Sequence, residues 1–325
     1  MKAVVCSGAG GPEVLTIADV PEPQLGPGEV LIDVRAAALN RADLLQRRGL
    51  YPPPPGASDI LGMECAGVVA ARGPGASRFA LGARVMALLA GGGYAERVVV
   101  SQKLLLAIPE RLSFEEAAAV PEAFLTASEA LLVEAELRHG DWLLVTAAAS
   151  GVGSAAVQIG KALGANVLAS ASAGKLDFVR GLGAAVAFDR EREDYVEVVR
   201  TATHGGGANA IIDFIGASAL ARHQACLAAR GRLVLVGMLG GATASLDIGR
   251  ILMKRQRICG LVMRSRSLPE KAELVQRFES ALWPLLERGA LSPRVDQVFS
   301  LSDVIAAHGR MEQNLNLGKI VLRID

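Results

Sequence analysis

The sequence predicts an α/β protein of two domains, a doubly wound parallel sheet carried within a β-rich domain. Three observations predict it. Short apolar strands alternate with helical stretches through the middle of the chain, the first third reads as extended runs punctuated by glycine, and the chain closes on one more strand-like run, Lys319-Ile320-Val321-Leu322. At 325 residues the chain exceeds what one hydrophobic core usually organises.

In the first third, Val30, Ile32 and Val34 alternate with Leu31, Asp33 and Arg35 after the turn signal Gly26-Pro27-Gly28-Glu29, which reads as a half-buried strand. Further extended runs are expected at 65–71, 84–89 and 94–100, set off by Gly73-Pro74-Gly75 and Gly91-Gly92-Gly93, and together they suggest a small barrel. Pro52 to Pro55 makes a stiff loop that favours polyproline II. From about Ser113 the texture turns to Ala-rich helix, and then to strands expected at 142–148, 167–170, 185–189, 210–215, 232–237 and 258–263, the pattern of a parallel sheet with crossover helices. A helix is expected around 271–288, and the closing strand is expected to return to the first domain.

Composition narrows the function classes. Apolar residues make up 51% and charged residues 21%, which excludes a disordered chain, and no apolar run reaches the ~18 residues of a membrane span. Met1-Lys2-Ala3-Val4-Val5-Cys6 enters a strand directly, with no apolar leader, so a soluble cytoplasmic protein is expected. Formal net charge is +1 with both signs interspersed, which argues against a nucleic-acid partner. Cys6, Cys65, Cys226 and Cys259 stand apart, so they read as reduced, buried small hydrophobes and not as a zinc knuckle or disulfide framework.

The most specific local feature runs from Trp142 to Ser154: a buried strand, the small-residue turn Ala148-Ala149-Ser150-Gly151-Val152-Gly153, then a helix with Val152, Ala156, Ile159 and Leu163 on one face. Such a turn brings backbone N–H groups close to a dinucleotide pyrophosphate, although Gly and Ser at a tight turn also serve packing. Enzymes that prefer NAD usually place an acid at the end of the second strand, about 20 residues after the turn, for the ribose 2′-hydroxyl. Here Ser170-Ala171-Ser172-Ala173-Gly174-Lys175 stands in that place. Ser172 can donate to a 2′-phosphate and Lys175 can neutralise it, with Arg190 as a second cation, so NADPH is favoured; for both cations the plain alternative is a solvated surface charge.

Hydride reduction of an ordinary ketone develops alkoxide charge, which calls for a metal or a proton donor. His139, His204, His223 and His308 are scattered without ligand spacing, and none of Tyr51, Tyr94 and Tyr195 has a Lys four residues later. A quinone escapes the requirement because its reduced anion is delocalised and far less basic.

These residues bring the whole chain close to a known family. Gly11-Pro12-Glu13-Val14-Leu15, Asn40-Arg41-Ala42-Asp43-Leu44, Tyr51 with its prolines, Leu61-Gly62-Met63-Glu64, the Ser-Gly-Val-Gly turn, Asp213-Phe214-Ile215-Gly216, Gly237-Met238-Leu239-Gly240-Gly241, Arg264-Ser265-Arg266 and Asn316-Leu317-Gly318-Lys319 match in order. The chain resembles the zinc-free quinone oxidoreductase branch of the medium-chain dehydrogenase/reductases, closest to its stress-inducible subgroup. The resemblance implies a GroES-like β-barrel substrate domain from residues 1–118 and 265–325, and a Rossmann NADPH-binding domain from 119–264. It implies loss of the catalytic zinc ligands, since zinc-dependent relatives carry a Cys near Asn40 and a His at Met63. By the same resemblance Asn40, Asp43 and Tyr51 line the substrate pocket, while Thr126, Ser150, Gly151, Val152, Gly153, Ser172, Lys175, Arg190, Phe214, Gly237, Met238, Leu239, Leu261, Met263 and Asn316 serve NADPH. Gly174 departs from a frequent second Lys and Arg190 from a stacking Tyr.

Other readings of these residues stand beside this one. Asn40 with Asp43 three residues later is also a helix N-cap with a first-turn acid, Tyr51 also packs on the prolines, and the 237–241 run is also an ordinary strand-end turn. The expected activity is hydride transfer from NADPH to a quinone, with an enone or enoyl-thioester reductase as the chemical alternative. A cofactor-binding crystallin or RNA-binding protein is a further alternative, weakened by 4% aromatics and the lack of a basic stripe. A homodimer is expected through the edge strand near 258–263.

Overall fold

The computed structural model describes residues 1–325, which form two compact units: Met1–Leu125 with Met263–Asp325, and Thr126–Val262. The breaks therefore fall later than residue 118 and earlier than residue 265. The first lies inside a continuous helix, which gave the sequence no turn signal to read.

The first unit begins with β1 (Lys2–Cys6) antiparallel to β2 (Leu15–Asp19). β3 (Glu29–Ala38), β4 (Glu64–Arg72), β5 (Arg84–Leu88), β6 (Arg97–Ser101) and β7 (Leu105–Ala107) follow, with β3–β4–β5–β7 running antiparallel and β6 also paired to β3. Along β3, Val30, Ile32 and Val34 are buried and Arg35 is exposed, which is the alternation a one-sided strand requires. A Cβ at Gly67 would lie 2.1 Å from the Asp33 carbonyl oxygen, so β3 and β4 approach this closely only with glycine there. The extended run expected from residue 94 starts as β6 only at Arg97. Residues 94–96 pair with β1 instead, through Val4 N–H to Tyr94 O and Glu96 N–H to Lys2 O.

Helix α1 (Arg41–Arg47) lies between β3 and β4, and α2 (Phe114–Ala118) and α3 (Pro121–Ser128) follow β7. The last turn of α3 widens into π-helix over Glu129–Glu134.

The second unit is one parallel sheet of β8 (Trp142–Val145), β9 (Asn166–Ala171), β10 (Val186–Asp189), β11 (Ala208–Asp213), β12 (Leu227–Leu235) and β13 (Arg257–Gly260), in the order β10-β9-β8-β11-β12-β13. The order reverses between β8 and β11, the switch point at whose strand carboxyl ends dinucleotide folds bind ligands. The connecting helices are α4 (Gly151–Ala162), α5 (Leu176–Gly181), α6 (Tyr195–Ala202), α7 (Leu220–Cys226) and α8 (Ile248–Lys254). Leu144, Leu168, Phe188, Val199, Ile211, Leu227 and Leu233 form the core on one face. Helix α4 is buried all round from Gly153 to Gly160, not on one face as its periodicity suggested. Its small residues allow this: a Cβ at Gly160 would meet Leu143 at 2.6 Å.

Back in the first unit, the helix expected over 271–288 is two helices, α9 (Leu268–Ala281) and α10 (Trp283–Glu287), because Pro284 has no N–H to continue the ladder and opens a new helix. β14 (Val295–Ser300), α11 (Val304–Glu312) and β15 (Lys319–Arg323) complete the chain, with β15 placed between β14 and β3. The cysteines divide: Cys65 and Cys226 are buried, Cys259 is half-buried and Cys6 is exposed, so the small-hydrophobe reading does not extend to Cys6.

Candidate active site

Burying a carboxylate is costly unless it is paired. The first unit nevertheless buries two completely, Asp43 and Glu64. Asn40 leaves β3 in extended backbone (φ −127°, ψ 151°) and starts α1, with the Asp43 carboxylate accepting from its N–H at 2.7 Å. Asp43 also accepts from the Tyr94 hydroxyl at 3.0 Å and Gly62 N–H at 3.2 Å. Glu64 Oε1 accepts from Asn40 Nδ2 at 2.9 Å and Lys319 Nζ at 2.6 Å, and its Oε2 from Glu122 N–H at 2.8 Å. Lys319 donates further to Leu39 O at 2.6 Å and Asn40 Oδ1 at 2.7 Å.

Asn40 and Asp43, which the resemblance assigns to a substrate pocket, are joined by the helix-capping arrangement that their spacing also permits. Asp43 has no exposed surface, so it holds α1, Tyr94 and the 62 turn in place instead of presenting itself outward. Burial pushes its carboxyl up to about 6 against the pull of the Asn40 N–H, Tyr94, Lys319 and the Gly62 N–H. The Tyr94 phenol is driven well above its ordinary range by burial and by Asp43.

Tyr51, half-buried, lies against Arg264, whose guanidinium carbon is 5.3 Å from the ring centroid and whose Nη1 donates to Tyr51 O at 3.2 Å. Arg264 is fixed by Ala90 O at 2.7 Å and Gln46 Oε1 at 2.7 Å, and its own carbonyl accepts from Lys271 Nζ at 2.7 Å. Glu122, at the start of α3, is partly exposed. Burial, and then the Glu64 charge, raise its carboxyl to about 8. Sequence reasoning missed Arg264, Lys271, Glu122 and Lys319 as site residues; Arg264 and Lys319 stood in matched runs and so carried a signal, whereas Lys271 and Glu122 carried none.

In the second unit the small-residue turn sits at the carboxyl end of β8. Ala147 takes φ +43°, Ser150 caps α4 by accepting from Gly153 N–H at 3.1 Å, and a Cβ at Gly153 would lie 2.4 Å from Ala147 O. The turn is thus closed to any larger residue at position 153. The amides of Gly151 and Val152 begin the helix and have no carbonyl four residues earlier within it. Thr126, only 3% exposed, leaves its hydroxyl without a partner. A buried hydroxyl without a partner is unusual in a finished core and fits a polar group of a bound molecule. Both observations suit a dinucleotide.

At the neighbouring strand ends, Arg190 N–H donates to Ala171 O at 3.1 Å, which brings the backbone of Arg190 beside Ser172. Ser172 and Lys175 bracket the short turn that follows β9, with Lys175 N–H donating to Ser172 O at 2.9 Å. Arg190 is exposed and lies 3.5 Å from Glu191. Across the switch point, Leu239 N–H bonds Phe214 O and Gly240 N–H bonds Ile215 O, so the 237–241 loop folds onto the turn after β11, with Met238 and Leu239 well exposed.

A network whose members stand far apart along the chain holds that turn. Asp213 accepts from Ile215 and Gly216 N–H at 2.9 and 2.7 Å and from Thr146 Oγ1 at 3.1 Å, and pairs with His223 Nε2 at 2.9 Å, whose Nδ1 lies 3.0 Å from the Tyr195 hydroxyl.

Three expected cofactor residues need restating. β13 ends at Gly260, so Leu261 and Met263, both buried, are not strand residues, and Met263 belongs to the first unit. Asn316, 8% exposed, also lies in the first unit, its Nδ2 donating to Gly318 O at 2.7 Å. No three His, Cys, Asp or Glu side chains converge as a metal site, and no helix is long and apolar enough to cross a membrane.

Residues 26–110 match the alcohol dehydrogenase GroES-like domain family and residues 151–280 the zinc-binding dehydrogenase family. A quinone oxidoreductase of Pseudomonas aeruginosa is 34% identical over 99% of both chains. A synaptic vesicle membrane protein VAT-1 homolog of Rattus norvegicus is 33% identical over 99% of this chain and 84% of its own. Among solved structures, a mycobacterial protein complexed with NADPH superposes with a TM-score of 0.90 at 30% identity over 100% of both chains. An NAD-dependent alcohol dehydrogenase gives 0.89 at 35% over 100% of both, and the CurK enoyl reductase 0.89 at 28% over 100% of this chain and 99% of its own. With its GroES-like and Rossmann-like parts and relatives of this identity along its whole length, the chain belongs to the medium-chain dehydrogenase/reductase family of oxidoreductases, among quinone oxidoreductase homologues.

Proposed function

We propose that this protein is a zinc-independent NADPH:quinone oxidoreductase. The observation that carries the cofactor choice is the carboxyl end of β9, where Ser172 and Lys175 stand in place of an acid and the Arg190 backbone is bonded alongside. A carboxylate there would repel a 2′-phosphate, whereas a hydroxyl and two cations favour it. The quinone reading is supported by the similarity to quinone oxidoreductases and by an amide and a thioether, Asn40 and Met63, where a metal-assisted reduction would need stronger ligands.

When bound, the nicotinamide supplies a hydride. The Gly151 and Val152 amides at the start of α4 would take the pyrophosphate, with Gly153 letting the turn close tightly on itself. The Thr126 hydroxyl would gain a partner on the cofactor, and the loops carrying Phe214, Gly237, Met238 and Leu239 would bound its nicotinamide half, with Leu261 as a further contact. Asn40 keeps one N–H in a long 3.4 Å contact to Ala38 O, and this is the donor it can turn to an acceptor oxygen. Asp43 holds Asn40 and Tyr94 in position, and Tyr51 packs against the acceptor ring. β13 ends the sheet with an unpaired edge that offers a second copy a strand to pair with, a homodimer that light scattering would reveal.

An enoyl reductase reading has one specific support, the similarity to CurK enoyl reductase. The deciding experiment follows NADPH and NADH oxidation in parallel with an ortho-quinone, a para-quinone and an enone, with chelator present. Chelator-resistant quinone turnover that prefers NADPH is expected. Turnover of the enone alone would replace the quinone reading, and preference for NADH would overturn the role of Ser172, Lys175 and Arg190.

A further inference from the structure

The network of Asn40, Asp43, Glu64 and Lys319 satisfies its charges internally. One carboxyl beside it is different. Glu122 touches that network only through its backbone, whose N–H donates to Glu64 Oε2 at 2.8 Å. Its side chain makes no hydrogen bond or ion pair within the chain, yet it is partly open to solvent. Around it stand Glu64 from β4, Asp43 from α1, Lys319 from β15, Lys271 from α9, and the Tyr51–Arg264 pair whose charges feel it. The two carboxylates disfavour a third negative charge and the two lysines favour it. Desolvation outweighs the two lysines and pushes the carboxyl up to about 8, a shift that favours the neutral acid.

We propose that Glu122 is the proton donor of the reduction, an inference that rests on the reductase reading above. The acceptor gains a hydride from NADPH, which leaves as NADP+, and becomes an oxyanion, a phenolate from a quinone or an enolate from an enone. The Glu122 carboxyl O–H breaks, the acceptor O–H forms, and the carboxylate left behind recovers its proton from water. This supplies the donor that neither a metal nor a Tyr–Lys pair provides here. It matters most for acceptors whose anion is strongly basic, so enones depend on it more than quinones do.

Infrared difference spectroscopy on the protein without cofactor, with glutamate carbon-13 labelled, tests the protonation state directly. A protonated glutamate carboxyl band is expected at pH 7, titrating away near pH 8 and missing in Glu122→Gln. Steady-state kinetics test the chemistry. Because the acid form is required, turnover of the native protein falls as pH rises through about 8. In Glu122→Gln that limb disappears and enone reduction slows by about 10²-fold, with quinone reduction slowed less and the KM for NADPH unchanged. A carboxylate already ionised at pH 7, or a Gln variant that keeps the turnover and pH profile of the native protein, overturns the assignment. A native protein that reduces no acceptor at all overturns the reductase reading instead, and the infrared band then decides by itself whether Glu122 holds a proton to give.

Discussion

Lys319→Met keeps the aliphatic stem of Lys319 and removes only its charge. Three contacts go with it, to Leu39 O at 2.6 Å, Asn40 Oδ1 at 2.7 Å and Glu64 Oε1 at 2.6 Å. Glu64, completely buried, is left with the Asn40 amide and the Glu122 N–H as its partners. Removing one member of a buried ion pair costs ~3–5 kcal/mol, because the other charge stays desolvated. In a domain the size of the first unit this lowers the melting temperature by roughly 10 °C. The loss is read by thermal unfolding and by amide exchange at Leu39, whose N–H bonds Ile320 O at 2.9 Å and so reports on this unit alone. If the charge is what matters, adding Glu64→Gln to Lys319→Met restores part of the loss, with a coupling of about 1–3 kcal/mol. An unchanged melting temperature in the single variant, or strict additivity in the double, would refute the argument.

The remaining predictions concern the cofactor turn and pH. Gly153→Ala forces a Cβ to within 2.4 Å of Ala147 O; we expect ~1–3 kcal/mol of destabilisation and more than tenfold weaker NADPH binding by fluorescence titration. Thr126→Val removes a buried hydroxyl that has no partner, so the protein without cofactor gains about 1 kcal/mol or stays level while NADPH binding weakens; a loss on both counts would show that the hydroxyl is not waiting for a ligand. His308 is held down to about 3 by burial and the neighbouring Arg47, against 6.5 when unfolded. Its contribution to stability is therefore present above pH 6.5 and lost as pH falls toward 3, and His308→Gln flattens that part of the melting temperature against pH curve.

The second unit was the more legible in the sequence because its central strands β8, β9 and β11 are buried on both faces and read as apolar runs between helices. Strand ends were less so: 258–263 reads as one run, but β13 ends at Gly260, after which Leu261 and Met263 are buried and Val262 is exposed. In the first unit, periodicity found β3 but carried the run before β6 too far, since residues 94–96 pair with β1 and not with the sheet. Asn40 and Asp43 were readable as a helix start because a cap is local. Their partner Lys319 was not, standing 279 residues from Asn40. The same distance effect hid the Asp213, His223 and Tyr195 grouping: each looked like an isolated polar residue, and only the return of α7 beneath β11 joins them.

The placement of β15 between β14 and β3 also sets an order of assembly during synthesis. Until β15 is made, the sheet of the first unit stays open at the Ala36–Ala38 end of β3, whereas Thr126–Val262 has all six of its strands in hand before then. The second unit is therefore free to fold first, and the Ala36–Ala38 end of β3 must wait for β15, its partner on that edge. A chain cut short before Lys319 lacks both the strand that closes the sheet of the first unit and the cation that neutralises Glu64, so translational truncation strikes the first unit while leaving every strand of the second in place.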